Sequence, residues 1–381
     1  MKFGILFTTA SAVIVMMILS GCATSGENAF SPKPGQLSKM EATGTNPFYQ
    51  ESTLYFKYPP FDKIKNAHYA PAFGKGMAEQ LVEIAAIANQ SGAPTFENTI
   101  VAMEKSGQLL DRVATVFYSL ASAHTNDSLE LVRSEMAPKL SAHSDQILLN
   151  SKLFERIRTL YDQKTSLGLD AEAVRLVEET YKDFIRAGAN LSADDKKRLK
   201  ALNAELATQQ TTFSQNVLKE VNDLAVVVDS REELTGLSEA MIEAAAKEAE
   251  SRDLAGKYVI TLQNTSGQPP LSSLENRALR ERIHKVSLSR GSRGGEFDNR
   301  ETFTKVVQLR AKRARLLGYE NHATYILENQ TAQTTDAVNK RLADLAPASV
   351  RNANREVTDL QKMIDAEGGS FMLASWDWDF Y

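Results

Sequence analysis

The side chains in this sequence best suited to holding a metal or moving a proton are five histidines, His68, His124, His143, His284 and His322. A helical zinc site of the His-Glu-x-x-His kind needs two histidines four residues apart, so that both rings leave one helix face. No pair here has that spacing. Even the closest two, His124 and His143, cannot share a helix face as ligands. His124 lies in Ala123-His124-Thr125-Asn126-Asp127, a polar break expected between helices, and His322 in Gly318-Tyr319-Glu320-Asn321-His322 is expected to start one. Ser292, within Gly291-Ser292-Arg293-Gly294-Gly295, lacks the G-x-S-x-G order and the preceding strand of a nucleophile elbow, and reads as a flexible loop. Gly74-Lys75-Gly76 lacks the third glycine and the strand of a phosphate cradle. The many carboxylates read as solvated helix faces. The chain therefore offers no catalytic, cofactor-binding or metal-ligating residue of its own.

One nucleophile has a context that assigns it a use. Cys22 is the sole cysteine, which excludes an intrachain disulfide and any zinc cluster built on several thiolates. Met1 and Lys2 precede an apolar run from Phe3 to Leu19 that carries Thr8, Thr9 and Ser11, the pattern of a secretory h-region. It ends in Leu19-Ser20-Gly21-Cys22, which resembles the lipobox of bacterial lipoproteins. The expectation is a signal peptide over residues 1–21, acylation of Cys22, and attachment to the membrane through that lipid anchor, each buried methylene adding about 0.8 kcal/mol. Ala23 rather than Asp follows the cysteine, which for a Gram-negative source favours a cell-envelope lipoprotein on the outer membrane facing the periplasm. Residues 22–45, rich in Ser, Gly, Pro, Thr and Asn, read as a flexible tether.

These groups must be positioned by a mainly α scaffold. With 381 residues, 43% of them hydrophobic, the chain exceeds the roughly 250 to 300 at which a single core stops growing, so two helical subdomains are expected, over residues 46–220 and 221–381. Its 44 basic and 48 acidic residues give a net charge of −4 with no basic cluster, which disfavours nucleic acid as a partner. Met77, Leu81, Ile84, Ala85 and Ala88 follow the helical period, as do Leu109, Val113, Val116, Phe117 and Leu120, and then Val177, Tyr181, Phe184 and Ile185. Ser192 with Asp195 opens a long helix through Leu199, Leu202, Leu206 and Phe213, and Gly188 separates it from the helix before. Residues 224–228 and 258–262 are short and β-branched, and are expected to pair as two strands. Ser238 starts a short helix between them, and Gly267-Gln268-Pro269-Pro270 marks a turn. Helices are expected again over 273–288, 298–317 and 335–366, the last interrupted at Pro347 and stopped by Gly368-Gly369.

Longer stretches carry a further signal. The run from Phe61 to Phe73, FDKIKNAHYAPAF, together with Pro94 to Ile100, Ala123 to Asp127, Arg175 to Glu178, Ala187 to Ala189, Arg310 to Gly318 and Trp376 to Tyr381, resembles the zinc metallopeptidase family of oligopeptidase A, thimet oligopeptidase and the bacterial peptidyl-dipeptidases. The resemblance covers nearly everything after the tether. It implies a helical, two-lobed scaffold around a channel that admits short unfolded peptides, with zinc polarising a water and a motif glutamate acting as base to release a C-terminal dipeptide. It also implies that the His-Glu-x-x-His helix and its partner residues lie beyond the position of Tyr381. This chain is thus expected to be the N-terminal portion, supplying channel wall and scaffold while binding no zinc by itself. In that reading Trp376, Trp378, Phe380 and Tyr381 anchor into the missing half and would otherwise leave an exposed apolar patch. The alternative is a non-enzymatic helical lipoprotein that binds peptides or a partner protein.

Overall fold

The computed structural model describes residues 45–263 and 267–381. The signal peptide, Cys22 and the tether up to residue 44 lie outside the described residues. The described chain is mainly helical with one small antiparallel sheet. It divides into two units that are each discontinuous in sequence: residues 45–212 with Val306–Tyr319, and Phe213–Lys305 with Glu320–Tyr381.

The first unit opens with the 3-10 turn Pro47–Tyr49, whose Asn46 side chain accepts from the Phe48 amide at 3.1 Å. Helix α1 (Asn66–Ala88) follows, and at its start the His68 Nδ1 accepts the Lys65 amide at 3.1 Å. Helix α2 (Gln108–Ala123) closes at His124, whose amide donates to the Leu120 carbonyl. Asn126 then caps α3 (Asp127–Leu148) by accepting from the Leu129 amide. His124 therefore sits in the helix break that its polar neighbours foretell. Phe117 is fully buried between Tyr69 and Phe73, with ring centroids 5.2 and 5.3 Å away at steep interplanar angles, the edge-to-face arrangement that aromatic quadrupoles favour.

Gly74-Lys75-Gly76 lies inside α1 and cradles nothing. A Cβ on Gly76 would stand 2.9 Å from the Leu110 backbone, so this glycine permits the close approach of α1 and α2. Further along α1 the buried stripe runs Gln80, Ile84, Ile87 and Ala88, with Ala85 exposed. An apolar periodicity passes over Gln80, and the stripe expected through Ala85 is displaced towards Ile87.

A π-helical turn, Phe96–Val101, is closed at its start by reciprocal bonds between Thr95 and Asn98 at 2.8 and 3.1 Å. Helices α4 (Ser151–Gln163) and α5 (Ala171–Ala187) pack with α1 and this turn into a second core that holds Ile100, Phe154, Ile157, Leu160 and Phe184. Within it Arg156 is buried. Its guanidinium donates to the carbonyls of Gln90 and Gly92, to Thr99 Oγ1 and to Asn98 Oδ1. Gly188, at φ 99°, ends α5 in the left-handed region, and α6 (Ala193–Asp223) begins where the Ser192 hydroxyl accepts the Asp195 amide.

In the second unit β1 (Ala225–Val228) and β2 (Tyr258–Thr261) pair antiparallel, with Ala225 opposite Thr261 and Val228 opposite Tyr258. Val226 and Val228 point into a core with Ile242, Leu262, Leu274 and Ile283. Ser238 caps α7 (Glu239–Ser251) between the strands. After the 3-10 turn Pro269–Ser272 come α8 (Arg277–Leu288), α9 (Arg300–Leu316), whose residues from Val306 onward belong to the first unit, then α10 (His322–Leu327) and α11 (Thr335–Ala366). His322 is the first residue of α10, as its surroundings predict.

The expected break at Pro347 does not occur, and α11 runs through it. Proline removes one amide donor and crowds the carbonyl four residues earlier. Residues 341–350 are all exposed, so the backbone group left without a partner is open to water and the helix tolerates the defect. Beyond α11, Gly368 at φ 81° ends the helix at the position foreseen for it.

Candidate functional site

A long-range polar cluster in the second unit is built by α8 and the segment after α11. Asn276 caps α8 by accepting the Leu279 amide, which fixes the first turn and directs Arg277 and Arg280, three apart, along one face. The chain after Gly369 is held by Gln361 of α11, which donates to the Phe371 carbonyl at 3.0 Å and accepts the Leu373 amide at 2.8 Å. These two pieces meet at Asp377, whose relative exposure is 0%.

Its carboxylate accepts Arg277 Nη2 at 2.8 Å, Arg277 Nε at 3.1 Å to both oxygens, Arg280 Nη2 at 2.9 Å and the Ala374 amide at 3.0 Å. Burial alone would raise this carboxyl, but the donors from Arg277, Arg280 and Ala374 together outweigh it and hold it below the usual carboxylate range. Arg280 also donates to the Leu274 and Glu275 carbonyls. The aromatic residues close over the cations: Phe371 lies 4.1 Å and Trp376 5.4 Å from Arg277, and Phe380 lies 4.0 Å from Arg280. His284 Nε2 pairs with the Ser375 hydroxyl at 2.9 Å.

This arrangement corrects one expectation. Trp376, Trp378, Phe380 and Tyr381 are all partly buried, so the tail leaves no large aromatic patch in water. The cations of α8 pack on Trp376 and Phe380. Chemically, Asp377 is saturated with donors and has no capacity left to act as a base. It is an anchor.

A second cluster pins the glycine-rich loop. Glu220, buried near the end of α6, accepts the Gly291 amide through Oε2 and Arg293 Nε at 3.0 Å through Oε1. Asn299 donates to the Phe213 carbonyl and accepts from Asn216, while Asp298 accepts the Gly294 amide and holds Arg300, which keeps its own carboxyl well below the usual range. The Ser292 hydroxyl donates to the Ser289 carbonyl. The loop is thus tied at several points, not loose as its glycine content suggests.

The first unit contains a buried polar pair on α3. His143 Nε2 meets Gln80 Oε1 at 2.7 Å and burial lowers its pKa, whereas burial raises that of Asp145, which accepts from Asn203 at 2.8 Å. Across the chain, His68 and His124 serve helix ends, His143 binds Gln80 and His284 binds Ser375. Among the described residues no three His, Cys, Asp or Glu side chains converge to hold a metal ion. Nor is any described helix long and apolar enough to cross a membrane.

Comparison with known proteins bears directly on this segment. Residues 271–381, which contain the whole Arg277, Arg280 and Asp377 anchor, match the model of Peptidase family M3. The chain is 39% identical to the dipeptidyl carboxypeptidase of Escherichia coli (strain K12) over 339 residues, 89% of this chain and 50% of that protein. The chain is similar to peptidases of family M3. The corresponding dipeptidyl carboxypeptidase of Salmonella typhimurium is also 39% identical, over 88% of this chain and 50% of its own length. Oligopeptidase A of E. coli is 27% identical over 86% of this chain and 48% of its own. The chain spans about half the length of the curated proteins it matches, and the similarity covers most of the chain, as its motifs indicate.

The sequence alone does not single out the Asp377 anchor. Its signal was present in two arginines three apart near a helix start and in one aspartate flanked by tryptophans, but a separation of about a hundred residues hides their pairing.

Proposed function

We propose that this chain is the N-terminal portion of a zinc-dependent peptidyl-dipeptidase, providing scaffold and channel wall for an enzyme that removes dipeptides from the C-terminus of short peptides. The observation that carries this reading is the 39% identity to dipeptidyl carboxypeptidases over 89% of the chain, confined to half of their length. The family match over the last stretch of this sequence supports the same direction. In this reading the residues described here bind and orient no reacting atom. Zinc and the base come from the half not represented in the sequence, and the anchor at Asp377 fixes the chain segment that precedes it.

The test is a fusion of this chain to the unmatched half of the E. coli dipeptidyl carboxypeptidase. The fusion is expected to release a C-terminal dipeptide from a blocked oligopeptide in a chelator-sensitive manner, and the 381-residue chain alone is expected to release none. Turnover by the chain alone would overturn the assignment of catalysis to the other half, and an assembled but inactive fusion would count against the peptidase reading itself.

The proposal includes lipidation at Cys22 and an envelope location, supported by Leu19-Ser20-Gly21-Cys22 after the apolar run. Mass spectrometry of the native protein from a bacterial host should find the mature chain starting at an acylated Cys22. An intact Met1 terminus or a free Cys22 thiol would refute it.

A further inference from the structure

Helix α11 is the longest described helix, 32 residues, and it is the least covered. Val338, Leu342 and Leu345 form one apolar patch and Val357, Leu360 and Ile364 a second on the same face, spanning about 39 Å at 1.5 Å per residue, with Ser349, Asn352 and Glu356 between them. Of these only Ile364 is buried, while Leu342 is 58% and Leu345 46% exposed. The opposite face is built for water: Lys340 pairs with Asp344 at 3.1 Å and Lys362 with Asp359 at 2.9 Å, both exposed. A helix with one apolar face draws most of its stability from packing that face. Here such packing is largely absent along the first six turns.

Two observations indicate what covers it. First, the relatives carry about as much polypeptide again as this chain. A segment joined to the same chain meets the stripe at an effective concentration of the order of millimolar, which outcompetes a second copy at ordinary protein concentrations. Second, the segment following α11 is fastened to it through Gln361 and to α8 through Asp377, so the polypeptide near the stripe is already ordered. We propose that the apolar stripe of α11 is the docking face for the other half of the M3 peptidase chain, received as an amphipathic helical surface. This rests on the reading that the chain is one portion of a longer M3 protein, and not on the activity proposed for it.

The experiment co-expresses the full 381-residue chain with a tagged, separately encoded unmatched half of the E. coli dipeptidyl carboxypeptidase, and measures co-purification. The stripe variant is Leu342→Glu with Leu345→Glu, and the control is Lys340→Glu with Arg351→Glu on the polar face. Circular dichroism of each variant alone checks that α11 still forms. The wild-type chain and the control should co-purify with the half in equal ratio, and the stripe variant should recover at least about tenfold less, the change expected when charges face an apolar interface centre. Failure of the wild-type chain to co-purify, or equal recovery of all three, overturns the proposal. So does a sedimentation result in which the chain alone dimerises and the stripe variant does not, since the occupant is then a second copy. Assembly is read without turnover, so an assembled, stripe-dependent but inactive complex sinks the peptidase reading and leaves the docking face standing.

Discussion

Asp377→Ala is expected to destabilise the protein by about 3–5 kcal/mol, the range for removing one partner of a buried ion pair. The loss is large because the substitution strands Arg280, which is almost wholly buried, and opens the cation faces on which Phe371, Trp376 and Phe380 rest. Trp376 and Trp378 are the only tryptophans in the sequence, so their emission reports on this segment alone and should shift to the red in the variant under native conditions. Urea titration followed by that emission checks both the midpoint and the shift. An unchanged midpoint would show that the anchor contributes nothing. The same carboxylate makes a pH prediction. Its folded pKa lies below its unfolded value, so its contribution is fully present above the unfolded value of about 3.9 and is lost as pH falls through the lower folded one. Asp377→Asn, which cannot ionise, should remove that part of the acid dependence.

Gly236→Ala is expected to cost about 3 kcal/mol. Gly236 sits at φ 96°, where a side chain adds about 1–2 kcal/mol, and a Cβ there would lie 2.0 Å from the Ser273 carbonyl oxygen. Relief requires separating two loops joined by the Glu275 amide and the Thr235 carbonyl at 2.9 Å. Those loops lead into α8, and Arg280 binds the carbonyls of Leu274 and Glu275, so the strain reaches the anchor. Gly256→Ala is the control. It has φ 84° but open space around the added methyl, so it should show the backbone cost alone. Thermal melting of both variants separates the two effects, and equal losses would mean that the loop yields without resistance.

Most of the helical framework was legible in the sequence because it rests on local rules. Ser192, Ser238 and Gly188 mark their helix ends through short-range bonds, and the β-branched runs at 225–228 and 258–261 paired as their composition implied. The limits were equally physical. Helix α8 begins at Arg277 rather than at Ser273 because Asn276 provides the cap and the residues before it are committed to a 3-10 turn. Gln80 occupies a core position because His143, distant in sequence, satisfies it. Pro347 was judged by what it removes from a helix, without knowledge that water could reach the site. The contacts of Phe371, Trp376 and Phe380 with α8 are not legible in the sequence because their cationic partners lie about a hundred positions earlier. The family likeness was legible for another reason, since ordered motifs over most of the chain survive where single contacts are hidden.

Arg156 makes its buried bonds without an acidic partner among its described contacts. Two of its acceptors are the main-chain carbonyls of Gln90 and Gly92. A main-chain oxygen survives any substitution, and a methyl at Gly92 would meet nothing within 4 Å. Position 92 is thus free to drift in side-chain identity while the course of the chain there stays fixed, whereas the Gln90 side chain also donates to the Asn98 carbonyl at 3.1 Å. Position 156 has no such freedom: lysine presents a point charge instead of a planar fork and cannot reach the separated acceptors together. The joint concentrates its mutational sensitivity in Arg156 and its side-chain acceptors Asn98 and Thr99, and leaves Gly92 open to variation.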